Sequence, residues 1–118
     1  MKTYLAVFTG TAASRQKSGW DDLAPEKRKA LEAKGMAAWG AWMAENAGAL
    51  VYGGGPLGKT KRVSKSGTDD ISNALAGLVV IKAASHEEAA KKFENHPHFA
   101  IFPGEAVEIM EVLPIPGQ

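Results

Sequence analysis

The sequence contains no cysteine. That absence excludes disulfides, thiolate metal sites and cysteine nucleophiles together, and it fits a protein kept in a reducing cytoplasm. A dominant charge is also missing: 14 basic residues stand against 13 acidic ones, a formal net charge of +1. Nucleic-acid binders carry a clear basic excess on one face. The basic cluster in this chain, Lys59, Lys61, Arg62 and Lys65, lies in a segment that reads as an exposed loop, so no nucleic-acid partner is expected. Long apolar runs are absent too, and nothing approaches the roughly 20 residues of a membrane span. Tyr4 to Phe8 is apolar, but Thr9, Gly10 and Thr11 interrupt any secretory h-region. That run reads as a β-strand, and no membrane partner is expected.

What is present fits one globular domain covering residues 1–118. Hydrophobic residues make up 45% and charged residues 23%, which argues against disorder. The 13 glycines predict tight turns or close backbone packing.

Thr3 to Thr9 is apolar on both alternating sets and reads as a strand buried on both faces. Gly10 to Asp22 is polar and loop-like. A long helix begins near Pro25, whose fixed φ suits a first helical turn, with Glu26 at the positive end of the helix dipole. Leu31, Ala38 and Trp42 share its apolar face, widened by Trp39, Met43 and Ala47. Gly35 and Gly40 inside this helix predict the close approach of another backbone, and Gly48 predicts a left-handed cap. Ala49 to Tyr52 is a short strand, Lys61 to Ser64 a small extra one, and Ser66 to Asn73 a polar loop. Leu75 to Ala84 is a long apolar strand. Ser85 and Glu88 form the S-x-x-E pattern of a capping box opening a second helix, which Pro97 stops. Ala106 to Leu113 is the last strand.

The order β-α-β-β-α-β is the split βαβ pattern of a ferredoxin-like α+β protomer. It predicts a four-stranded antiparallel sheet with two helices on one face. Such a sheet should be polar on its open face, yet the first, third and fourth strands are apolar on both. The same sheet of a second copy is the simplest cover, so the partner expected is the chain itself, as a homodimer.

Three motifs carry possible chemistry. Gly53-Gly54-Gly55-Pro56-Leu57-Gly58-Lys59-Thr60 spells the phosphate-loop string GxxxxGKT. That loop requires a helix directly after Lys-Thr, and Arg62 to Gly67 has no helical periodicity, so a hairpin turn is the better reading. The GxGxxG at Gly53, Gly55 and Gly58 is interrupted by Pro56 and again has no helix behind it. His96-Pro97-His98 places two imidazoles around a rigid residue, suited to proton exchange near neutral pH. They read as structural, as pocket-lining or as metal ligands, and the spacing forces no metal; none is expected, nor any cofactor. Trp39 and Trp42, at helical spacing, suit packing, and Asp69-Asp70 suits a solvated loop.

The chain resembles the YCII-related family, in the branch grouped with DGPF-domain proteins. The resemblance rests on Thr3-Tyr4-Leu5-Ala6-Val7-Phe8, on Trp39-Gly40-Ala41-Trp42-Met43, and on Gly48-Ala49-Leu50 with Gly54-Gly55-Pro56-Leu57. It continues through Ala76-Gly77-Leu78-Val79-Val80-Ile81, Ala84-Ser85-His86-Glu87-Glu88-Ala89, His96-Pro97-His98 and Val107-Glu108-Ile109. It implies a protomer that pairs into a dimeric α+β barrel, and it makes the GxxxxGKT string the family's Gly-Pro turn. It also implies a His–Asp pair, with His on the first helix and Asp just before the Pro after the second. This sequence departs at both places: the first helix has no His, and His96 stands where that Asp would be.

The expected function is therefore a dimeric small-molecule-binding domain with a pocket between sheet and helices, catalytic or, alternatively, a regulatory or binding module without turnover. The candidate catalytic residues are His98, His96 and Asp70, with Asp70 orienting a ring nitrogen. Trp42, Tyr52 and His98 are the candidate ligand-binding residues. The bland alternative is that His98 bonds a backbone carbonyl and fixes the loop to Gly104.

Overall fold

Alternation along the first strand, β1 (Lys2–Thr9), sorts its side chains between two faces. Tyr4, Ala6 and Phe8 enter the core cluster, and Leu5 and Val7 take the other side. A computed structural model describes residues 1–117. In it β1 pairs antiparallel with β5 (Leu75–Ala83) on one side and β6 (Ala106–Glu111) on the other, while β2 (Leu50–Pro56) pairs with the far side of β5. The sheet order β2-β5-β1-β6 is that of the ferredoxin-like α+β fold. Val79, Ile81 and Ala83 of β5 meet Tyr4, Ala6 and Phe8 in one buried layer.

Helix α2 (Pro25–Glu45) and helix α3 (His86–Lys91) cover that layer, with Trp42 and Ala89 as buried contributions and Phe93 joining them from the turn after α3. Pro25 sits in the first turn of α2, as the sequence predicts, and Ser85 Oγ accepts the Glu88 N–H at 3.1 Å, which is the serine half of the expected capping box without the reciprocal bond from the Glu88 side chain. The opposite face carries Leu5, Val7, Leu78, Val80 and Met110 together with Lys82 and Glu108; Met110 is 41% exposed, while Val7 is 8% exposed.

Several local expectations are corrected. Gly10 to Asp22 is no plain loop, because it holds α1 (Ala12–Ser18). Thr11 Oγ1 accepts the Ser14 N–H at 3.0 Å and Ser14 Oγ accepts the Thr11 N–H at 2.8 Å, so the helix starts on a capping box with Ser in the usual Glu position. Gly48 is not a left-handed cap. Helix α2 ends at Glu45, and the Asn46 side-chain amide donates to the Trp42 carbonyl at 2.9 Å, which meets the need a left-handed glycine would otherwise serve. Pro97 does not stop a helix but opens one: α3 ends at Lys91, and α4 (Pro97–Ala100) has Pro97 in its first turn and His96 as its cap. Ser66 to Asn73 is largely strand: β3 (Thr60–Ser64) and β4 (Gly67–Ile71) form a separate two-stranded hairpin turning at Gly67, φ 119°. Gly35 is buried, but what approaches it is the Phe102 ring rather than a backbone, and Gly40 has nothing within 4 Å of where a Cβ would stand.

The GxxxxGKT string runs from β2 straight into β3, which begins at Thr60. A strand follows Lys59 where a phosphate loop needs a helix. Gly54 takes φ 69° at a register irregularity between β2 and β5, and a Cβ there would run into the Leu78 carbonyl oxygen.

Candidate functional site

The space between α2 and the sheet is filled on one side and empty on the other. Over β1 and β5, near α3, Trp42 packs on Phe93 at 5.0 Å between ring centroids and donates its indole N–H to the Lys92 carbonyl at 2.6 Å. Over β2 the facing positions carry almost no side chain: Gly53 and Gly55 on β2, Ala76 and Gly77 on β5, and Gly40 on α2. The result is a cavity of about 590 Å³, walled by Phe8, Trp39, Trp42, Met36, Met43 and Phe102. His98 is the one ionisable side chain among its lining residues.

The His98 ring is held firmly. Its Nε2 lies 2.8 Å from the Thr9 carbonyl oxygen, which also accepts the Glu105 N–H at 2.9 Å. The Gly104 N–H donates to the His98 carbonyl at 2.9 Å, and a Cβ on Gly104 would overlap both that carbonyl and the imidazole. The chain from His98 to Gly104 is thus folded around the ring. Phe8, at 5.2 Å between centroids, packs beside it.

His96 is different in kind. It is 1% exposed, and its ring sits among Trp39 at 4.6 Å, Trp42 at 5.0 Å and Phe8 at 5.1 Å. Its Nδ1 accepts the His98 backbone N–H at 3.0 Å and so caps α4. Burial, and secondarily the neighbouring His98, push its pKa down to about 4. Near neutral pH the ring is therefore neutral, with its proton on Nε2. That buried N–H has no hydrogen-bond partner and is surrounded by aromatic rings, whose faces are weak acceptors.

The structure brings His98, Trp42 and, just behind the wall, His96 to one place. It does not bring Tyr52 or Asp70 there. Tyr52 pairs in register with Val80, on the sheet face away from the helices, and is 59% exposed. Asp70 lies on the β3–β4 hairpin, where its carboxylate accepts from Lys61 Nζ at 2.7 Å, so it orients no ring nitrogen. A carbonyl, Thr9's, does the orienting instead. The residues that shape the cavity and escaped the sequence reading are Phe8, Trp39 and the glycines at 40, 53, 55 and 77. Their available signal was the clustering of glycine opposite a tryptophan pair. Among the described residues no three His, Asp or Glu side chains converge to hold an ion.

Fold and cavity together define a ferredoxin-like α+β protomer with an apolar chamber under its first long helix. The same fold is found in 5-chloro-2-hydroxyhydroquinone dehydrochlorinase from Burkholderia phenoliruptrix, solved as a complex with 2,5-dihydroxybenzoquinone. That protein is 17% identical to this chain, with 92% of this chain and 90% of the other covered and a TM-score of 0.51. No family model matches the sequence, and no curated protein matches it.

Proposed function

We propose that this chain is a YCII-related homodimer that binds a small, mainly apolar molecule in the cavity between α2 and the β2 edge of the sheet. The observation that carries this reading is the chamber itself. A void of about 590 Å³ in so small a protein, lined by aromatic and thioether side chains with one imidazole, has the size and make-up of a ligand pocket. Helix and sheet could close on it with larger residues, and the glycines at 40, 53 and 55 leave room that no backbone crowding demands.

The dimer is supported by the uncovered sheet face. Leu5, Leu78, Val80 and Met110 give this face an apolar surface, beside the charged Lys82 and Glu108, of the kind that soluble proteins cover. Light scattering should give twice the monomer mass, and Val80→Asp should dissociate or unfold the protein, because it sets a carboxylate among the apolar side chains of that face. A stable monomer at micromolar concentration contradicts the dimer.

A thermal-shift screen of single- and double-ring aromatic compounds tests the pocket. Hits should raise the melting temperature of the native protein and leave that of Gly40→Leu unchanged, since the leucine side chain occupies the chamber. A second reading, a binding module without turnover, is favoured by one observation: three of the four ring nitrogens of His96 and His98 are committed or sealed by the fold. Product analysis of the bound compound separates the two. Consumption that disappears in His98→Ala supports an enzyme; intact ligand recovered after long incubation supports the module.

A further inference from the structure

We infer that the cavity selects aromatic alcohols, because the fold leaves His98 Nδ1 as a hydrogen-bond acceptor facing the ligand. The inference rests on the binding role proposed for the cavity and adds the chemistry of its one polar contact. A carbonyl oxygen can only accept. The Thr9 oxygen lies 2.8 Å from His98 Nε2, so Nε2 carries the proton, and in the neutral ring Nδ1 is left with a lone pair. The Nε2 bond to the Thr9 oxygen holds the ring in this orientation, and Gly104 leaves it the space a Cβ would take.

Nδ1 of His98 makes no hydrogen bond inside the protein. Among the described residues His96 Nε2 is the buried side-chain polar atom without a partner, so His98 Nδ1 is accessible, and the residue it belongs to lines the cavity. The other cavity side chains offer no comparable acceptor. Trp39 can only donate through its indole, Trp42 is already bonded to Lys92, and the rest are Phe, Met, Leu, Val, Pro, Ala and Gly. A ligand that fills this chamber and brings a hydroxyl to His98 satisfies both groups. A ligand that brings an ether oxygen to the same spot sets two acceptors against each other.

A matched pair of probes tests this. 2-Naphthol and 2-methoxynaphthalene differ by one methyl group, and transfer from water alone favours the ether by roughly fourfold. Calorimetric titration of the native protein should instead give the naphthol about tenfold the affinity of the ether. In His98→Ala the order should reverse to favour the ether. Ring nitrogen NMR of the native protein gives a check that needs no variant: the neutral ring of His98 is expected to be the Nε2–H tautomer. Equal or weaker binding of the naphthol by the native protein overturns the inference while leaving the cavity as a binding site. So does a naphthol preference that survives in His98→Ala, or an Nδ1–H tautomer. Failure of both probes to bind overturns the inference together with the binding role it rests on.

Discussion

The helical layer is solid over one half of the sheet and hollow over the other. Near α3, Tyr4, Trp42, Ala89 and Phe93 join Val79, Ile81 and Ala83 in one buried cluster, whose Trp42 and Val79 form the near wall of the cavity. Over β2, under the same helix, glycine and alanine leave about 590 Å³ open. Both halves are apolar, so the hydrophobic pattern that drives folding does not distinguish them. Side-chain volume does. The two histidines follow the same division two residues apart: His96 is sealed into the solid half and His98 lines the hollow one.

The largest expected effect breaks the hollow half at its floor. Gly54→Ala demands a left-handed conformation of a non-glycine residue and drives a Cβ into the Leu78 carbonyl, so β2 must part from β5 locally. A loss of about 4 kcal/mol is expected from strain and collision together, read by urea denaturation. A change below about 1 kcal/mol means that the irregularity at Gly54 relaxes freely.

Next is the solid half, through the pH dependence of His96. Its folded pKa of about 4 lies below the ordinary histidine value, so the unfolded chain binds the extra proton first as pH falls. The stability is complete above about pH 6.5 and is lost progressively as pH drops toward 4, by about 3 kcal/mol in all. His96→Asn keeps an acceptor for the α4 cap and has nothing to titrate. The difference in stability between native protein and variant should therefore shrink by about that amount between pH 7 and pH 4. A pH-independent difference shows that His96 is not buried neutral.

The smallest effects contrast two glycines of α2. Gly35→Ala puts a Cβ 2.5 Å from the Phe102 ring and should cost about 1–2 kcal/mol as that ring is displaced. Gly40→Ala meets nothing within 4 Å and should instead stabilise the helix by about 1 kcal/mol. Equal effects at the two positions contradict the division between filled and empty space.

Much of the fold was legible in the sequence. The alternation in Tyr4 to Phe8, the two-faced run of Leu75 to Ala84 and the Pro25 start all reflect interactions local in the chain or periodic along it. The errors fell where a residue type permits two outcomes. Pro97 can follow one helix or begin another, and the His96 side chain, as a cap, decides for the second. Gly48 can end a helix, but Asn46 had already closed it. Thr11 and Ser14 form a capping box whose pattern is inconspicuous in the sequence because Ser stands in the usual Glu position.

The site was less legible, because it is defined by missing volume. His98 and Trp42 stand out as chemistry-bearing residues, whereas Gly40, Gly53 and Gly55 matter only once α2 is laid over β2. Tyr52 falls outside the cavity because its face is set by the irregular register between β2 and β5, which cannot be read from the strand alone. Asp70 was misplaced because the β3–β4 hairpin carries it away with Lys61.

The most direct measurement is a backbone amide NMR titration of the native protein with 2-naphthol. Saturable shifts are expected at Gly40, Gly53, Gly55, Gly77 and His98, with Leu5, Val80 and Met110 unmoved. Shifts confined to Leu5, Val80 and Met110, or no saturable shift at all, would contradict it.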